Sequence, residues 1–274
     1  MRNSEIRIEP LTGNIGAEIH GVDLRDGLPD SDFEIVHRAF LEHQVVFFRD
    51  QELSPDEHVL VGERFGELHI HPSAPGVHSR AELMMIHTDA NSPWAEGTRW
   101  HTDVSCDAEP PMASLLHLTT VPSVGGDTLF ASMYAAYEAL SDRMKEILDP
   151  MVALHTGQVY VGRYEQIGGA QRREYQDSEH PVVRTHPETG RKCLYVNEGF
   201  TDHIVGLKRA ESDALLEFLY RHCERADFQC RFRWRRNSLA LWDNRCVQHL
   251  ATWDYYPHTR SGIRVTIKGD RPFH

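Results

Sequence analysis

The sequence predicts a mainly β fold with a few peripheral helices, a β-sandwich or jelly roll. Three observations carry that prediction. After residue 112 the chain holds seven short apolar runs, at 114–118, 128–131, 152–154, 193–196, 230–234, 239–242 and 262–268, each of strand length and bounded by turn residues. Helical stripes are few and read as peripheral to these strands. The 274 residues, 40% hydrophobic, suffice for one large core at a length that all-β folds still manage as one unit. A single domain over 1–274 is therefore expected.

Residues 5–24, interrupted by Gly13, Gly16 and Gly21, read as short strands and turns. Ser31-Asp32-Phe33-Glu34 has the spacing of a capping box, and Phe33, Val36, Ala39 and Phe40 form one apolar stripe, so a helix is expected to about residue 43. Val45–Phe48 reads as a buried strand. Ser54-Pro55-Asp56-Glu57 opens a second helix with proline in its first turn, and Phe65-Gly66 ends it. Residues 69–100, rich in His, Pro, Gly and Ser, read as long loops beside a site, or a lid. Helices are expected at 132–148 and 211–222, the latter capped by Ser212-Asp213 ahead of Leu215, Leu216, Phe218 and Leu219.

The net charge of −12 argues against a phosphate-binding surface, and so against nucleic acid as a partner. Five cysteines, an odd number with no Cys-x-x-Cys, fit reduced thiols in the cytoplasm. The first residues are polar and no apolar run reaches membrane-spanning length, so neither a leader nor a membrane partner is expected.

The chemistry is carried by His-x-Asp. Two imidazoles and one carboxylate on one face of an octahedral ferrous ion leave three faces open for reactants. A chain with 18 histidines yields about one such tripeptide by chance. This one has two, His87-Thr88-Asp89 and His101-Thr102-Asp103. Context favours the second, because it stands just before the strand-rich half, whereas the first runs into the loop-like Ala90-Asn91-Ser92-Pro93. His249 is the candidate third ligand: Asp243-Asn244 reads as a turn that would place it on the return strand of a hairpin. Alone, each motif equally suits a histidine beside a turn. A ferrous oxygenase commonly uses a 2-oxo acid, whose far carboxylate wants a guanidinium and a hydroxyl. Arg260 follows His249 by eleven residues and Thr128 follows Asp103 by twenty-five. In an extended 260–267, Arg260 and Arg264 share a face roughly 13 Å apart, with Val265 and Ile267 on the other. Two solvent-facing arginines on an edge strand have the same periodicity. A zinc hydrolase and a non-catalytic jelly-roll metal-binding protein stay open on the residues alone.

With these motifs the chain resembles the taurine dioxygenase family of iron(II)/2-oxoglutarate-dependent oxygenases, which includes alkylsulfatases and aryloxyalkanoate dioxygenases. The likeness runs through Arg49-Asp50-Gln51, the Phe65–Pro72 stretch, Trp100–Asp103, Gly125–Thr128, His180–Pro187, Val196–Phe200 and Trp242–Arg245. It implies a double-stranded β-helix core. It implies His101, Asp103 and His249 as ligands of Fe(II), Thr128 and Arg260 as the grip on 2-oxoglutarate, and O2 as co-substrate. It implies Arg264, His71 and Phe200 as contacts to a small anionic organic substrate, Trp242 near the iron, and a homo-oligomer of unspecified number. The departures imply a substrate larger than, or shaped differently from, taurine. Ser73-Ala74 replaces Val-Tyr after the His-Pro pair, Gly97-Thr98-Arg99 replaces Asn-Asp-Asn, and glycine stands within His155–Tyr160 about where a pocket aromatic is expected.

Overall fold

The computed structural model describes residues 6–71, 76–160 and 177–274. Strands β1 (Arg7–Pro10) and β2 (Ala17–His20) pair antiparallel. Helix α1 (Asp30–His43), strand β3 (Val45–Phe48) and helix α2 (Pro55–Glu63) follow. Short strands β4 (Leu68–His69) and β5 (Gly76–Val77) lead to the nine-residue β6 (Arg80–Thr88). Next come β7 (Ala113–Thr120), β8 (Thr128–Ser132), and helices α3 (Met133–Glu138) and α4 (Asp142–Leu148). Strands β9 (Val152–His155), β10 (Ser178–Pro181), β11 (Val183–Thr185), β12 (Lys192–Leu194) and β13 (Thr201–Ile204) precede helix α5 (Arg209–Cys223). The chain closes with β14 (Gln229–Phe232), β15 (Ser238–Asp243), β16 (Val247–Ala251) and β17 (Arg260–Ile267).

Two sheets form the double-stranded β-helix. The larger runs β1-β2-β3-β15-β7-β17-β6-β5, with β4 also on β17; the smaller is β14-β8-β16. Period-two alternation divides the core. Val45, Phe47, Leu116, Leu118, Ala240 and Trp242 face the smaller sheet's Phe130, Phe232 and Val247. Val46, Phe48, Leu115, Leu239, Leu241 and Val265 turn to the opposite face, against Val36, Ala39 and Phe40 of α1 and Val59 of α2. The central strands are thus buried on both faces, which is why they read as continuous apolar runs.

Several expectations need correction. Residues 80–88 are not loop: β6 pairs with β17 from Arg260↔Thr88 to Arg264↔Met84. Its apolar run, Leu83–Ile86, is short and was passed over among the His, Pro, Gly and Ser that surround it. Ser31 does not cap α1. The helix starts at Asp30 behind Pro29, with Asp30 and Asp32 meeting the helix dipole in the first turn. Ser54 and Glu57 form the expected capping box on α2. The helix expected at 132–148 is two, the second capped by Ser141. Helix α5 starts before Ser212, whose buried hydroxyl instead accepts the Ile204 amide at 2.8 Å and ties β13 to the helix. Finally, β15 and β16 are no hairpin: the corner after Asp243 carries the chain from the larger sheet to the smaller. Asp243 holds that corner by accepting the Arg245 amide at 2.9 Å and its guanidinium at 2.7–2.8 Å.

Candidate metal centre and substrate cavity

His101 and His249 are brought together by backbone pairing. They form an isolated antiparallel bridge, with the His101 amide donating to the His249 carbonyl at 3.1 Å and the His249 amide to the His101 carbonyl at 2.9 Å. Directly opposed residues project to the same face, and the two rings lie 4.1 Å apart. Asp103 completes the group. Its Oδ1 is 3.8 Å from His101 Nε2 and its Oδ2 3.9 Å from His249 Nε2, and the three donor atoms lie within 4.8 Å of one another.

The protonation states suit a cation. The Arg99 carbonyl, 2.8 Å from His101 Nδ1, can only accept, so Nδ1 carries the proton and Nε2 offers its lone pair. Burial pushes both imidazoles down and keeps them neutral, most strongly His249, which also faces His101. Burial alone would raise the Asp103 carboxyl. The Arg264 guanidinium and the Ser114 hydroxyl override it and hold the group well below the usual carboxylate range. Arg264 Nη1 donates to Asp103 Oδ1 at 2.8 Å, and Ser114 to Oδ2 at 2.6 Å. Two neutral imidazoles and one anionic carboxylate fit a divalent first-row metal.

One cavity of about 220 Å³ contains this group. On β17, Arg260 and Arg264 both line it, as the strand's parity requires. Arg264 sits in a cross-strand row between Met84 and Leu116, which line the cavity beside it. Arg260 is 5% exposed. Its Nη2 donates to Thr128 Oγ1 at 3.3 Å and its Nε to the Gly126 carbonyl at 3.1 Å. Burial lowers its pKa, and among the described residues no carboxylate forms an ion pair with it. A buried unpaired cation is costly, and an anionic ligand would remove that cost. His71 and Phe200 line the same cavity, as does Trp242, whose ring is 4.7 Å from His249. Burial, reinforced by Arg264, takes the His71 pKa down to about 3, so His71 offers a hydrogen bond without a second charge.

Three contributors were not singled out from the sequence. Tyr160 lines the cavity from a 3-10 turn, 5.3 Å from the His71 ring and 5.5 Å from Phe200. It supplies an aromatic only three residues beyond Gly157, where one was thought absent. A Cβ on Gly199 would lie 2.7 Å from His101 Cβ, so only glycine fits there. Ser114 was read only as strand. Ser73 and Ala74 lie outside the described residues; Gly97, Thr98 and Arg99 line the cavity.

His87 and Asp89 do not join the centre. His87 is at the end of β6, not in a loop, with its ring against Ser261 and Asp89. It faces the other way because it pairs with Ser261, one residue out of phase with the cavity-lining Arg260 and Arg264. A second cluster, His186, Asp243 and Cys246, is unsuited to a metal. His186 Nδ1 accepts the amides of Glu188 and Thr189, so its Nε2 proton points at Asp243, 3.0 Å away. Burial and Asp243 keep the Cys246 thiol protonated.

Comparison with known proteins gives the family. The profile of the "Taurine catabolism dioxygenase TauD, TfdA family" matches residues 7–266. An alpha-ketoglutarate-dependent sulfonate dioxygenase of Saccharomyces cerevisiae is 35% identical over 98% of this chain and 68% of its own. An alkylsulfatase of Acinetobacter baylyi is 33% identical over 97% of this chain and 86% of its own. The crystal structure of a taurine dioxygenase from Burkholderia xenovorans superposes with a TM-score of 0.85 at 37% identity, covering 98% of this chain and 93% of that one. A family profile that spans nearly the whole chain, and relatives more than 30% identical over it, leave one conclusion: the chain belongs to the TauD, TfdA family and is a 2-oxoglutarate-dependent dioxygenase.

Proposed function

We propose that His101, Asp103 and His249 hold Fe(II), that Thr128 and Arg260 grip the distal carboxylate of 2-oxoglutarate, and that the enzyme hydroxylates an aliphatic C–H of a small organic anion. The anion is a sulfonate, sulfate ester or carboxylate, and succinate and carbon dioxide are the co-products. The whole chain works as one oxygenase domain. The observation that carries this reading is the convergence of the three donor atoms within 4.8 Å in the cavity that Arg260 and Arg264 share.

Ferrous iron, when bound, supplies oxygen activation and oxidative decarboxylation of the 2-oxo acid. The chain's own residues supply placement. Arg264 anchors the anionic group, neutral His71 adds a hydrogen bond, and Met84, Ile86, Tyr160 and Phe200 wall the organic part. That apolar wall favours a substrate with a hydrocarbon body over the short polar taurine. If the hydroxylated carbon bears sulfate or sulfonate, the product breaks down, which is the alkylsulfatase variant of the same reaction. The free, buried state of all five cysteines supports a reducing, cytoplasmic setting. No helix among the described residues is long and apolar enough to cross a membrane.

The test is anaerobic loading with Fe(II), then oxygen-dependent succinate release across a panel of organic sulfonates, sulfates and carboxylates. Asp103→Ala should abolish substrate-stimulated succinate, while Asp89→Ala should keep it. Full activity of Asp103→Ala would refute the ligand assignment.

A further inference from the structure

The residue after the carboxylate ligand has an unusual backbone. Val104 has φ 50°, in the left-handed region where a β-branched side chain is a genuine outlier. It is fully buried, so nothing in solvent imposes that conformation. Such outliers persist only where the surroundings hold them, and they gather at functional sites.

Two sets of contacts hold this one. The first is a hydrogen-bond cluster around the next residue. The buried Ser105 hydroxyl is shared between His155 Nδ1 and Asn197 Nδ2, each at 3.0 Å. Asn197 Oδ1 accepts the Phe200 amide at 2.9 Å, and the Asn197 amide donates to Thr201 Oγ1 at 2.9 Å. The loop carrying Asp103 is therefore tied to the loop carrying Phe200. The second is apolar: Val104 and Cys106 pack in a small cluster with Phe200 and Tyr160, which line the cavity. Asp103 is thus aimed by a backbone turn whose far side is the wall of the substrate cavity.

We propose that Val104 and Ser105 are positioning residues: Ser105, through His155 and Asn197, holds the left-handed backbone at Val104, and that backbone points Asp103 at the metal. This rests on the reading of His101, Asp103 and His249 as a metal site. Glycine adopts φ 50° without strain, so the force supplied by Ser105 becomes dispensable once Val104 is replaced by glycine. The two positions should then be coupled.

The experiment is a Co(II) titration of the metal-free protein, followed by the ligand-field absorption of the bound ion, on wild type, Ser105→Ala, Val104→Gly and the double variant. Far-UV circular dichroism and melting curves of the metal-free proteins confirm folding. Residues that orient a ligand typically change metal affinity about 10- to 100-fold. Ser105→Ala should therefore weaken Co(II) binding at least tenfold in the wild-type background, and less than about threefold with Val104→Gly present. Equal losses in both backgrounds would overturn the strain-holding role. Unchanged affinity in Ser105→Ala would overturn any positioning role. Absence of saturable Co(II) binding in wild type would defeat the metal reading itself, a distinguishable result. If the alanine variant does not fold, Ser105→Cys keeps the buried volume, weakens both hydrogen bonds and carries the same comparison.

Discussion

Gly199→Ala should damage the metal centre although residue 199 donates no atom to it. The added Cβ would lie 2.7 Å from His101 Cβ and 3.3 Å from Asn197 Oδ1. An ordinary carbon–carbon contact needs about 3.5–4.0 Å, so the two atoms must separate by about 1 Å. The His101 Cβ is fixed to a backbone that exchanges two hydrogen bonds with His249, so no flexible side-chain tip can absorb the move. Overpacking of this kind costs about 1–3 kcal/mol of stability, and a displacement near 1 Å at a reacting group can cost about 100-fold in rate. The assay pairs the urea midpoint of the metal-free protein with kcat and Co(II) affinity of the loaded one. Turnover and metal affinity both at wild-type levels would show that the His101 strand is not held from this side, and the geometric reasoning would fail.

Three other outcomes follow from the same structure. Arg260→Ala removes a buried guanidinium and should raise the 2-oxoglutarate dissociation constant by about 30- to 1000-fold, from about 2–4 kcal/mol for a buried charge partner; inhibition assays with a 2-oxo acid analogue measure it, and an unchanged constant would remove Arg260 from that subsite. Arg264→Ala should abolish the preference for anionic over neutral substrate analogues while iron stays bound, and equal discrimination before and after the change would sink the anchor role. Acid should weaken the fold through its buried neutral histidines. His58 and His155 are fully buried, and burial takes each from 6.5 to about 3. Between those values the unfolded chain binds the extra protons, so stability is intact above about pH 6.5 and declines as pH falls toward 3. A urea-midpoint series on metal-free protein should show this slope, shallower by up to one proton in His58→Gln; a flat profile from pH 6.5 to 5 would contradict it.

The two-layer β architecture was legible because buried central strands announce themselves, as in Val45–Phe48 and Ser238–Asp243. The shared face of Arg260 and Arg264 was legible for a similar reason, since strand parity is a local property. The choice between His87 and His101 was made for an incomplete reason. What separates them is a backbone bridge to His249, a pairing across the fold that no local spacing reveals. Strand β6 was missed because its apolar run, Leu83–Ile86, is short and set in a loop-like composition, and its partner, β17, lies far along the chain. Tyr160 and Gly199 were invisible as site residues for a related reason. Their importance comes from what the tertiary fold sets beside them, His71 and His101 respectively.

The crossing at Asp243 gives the centre a divided ownership. His249 and Thr128 belong to one sheet of the sandwich, Arg260 and Arg264 to the other. Under the proposed assignment, a reactant that touches both families of side chains would act as a rivet between the layers. Loading the centre should therefore stiffen the sandwich as a whole, and not merely fill its cavity.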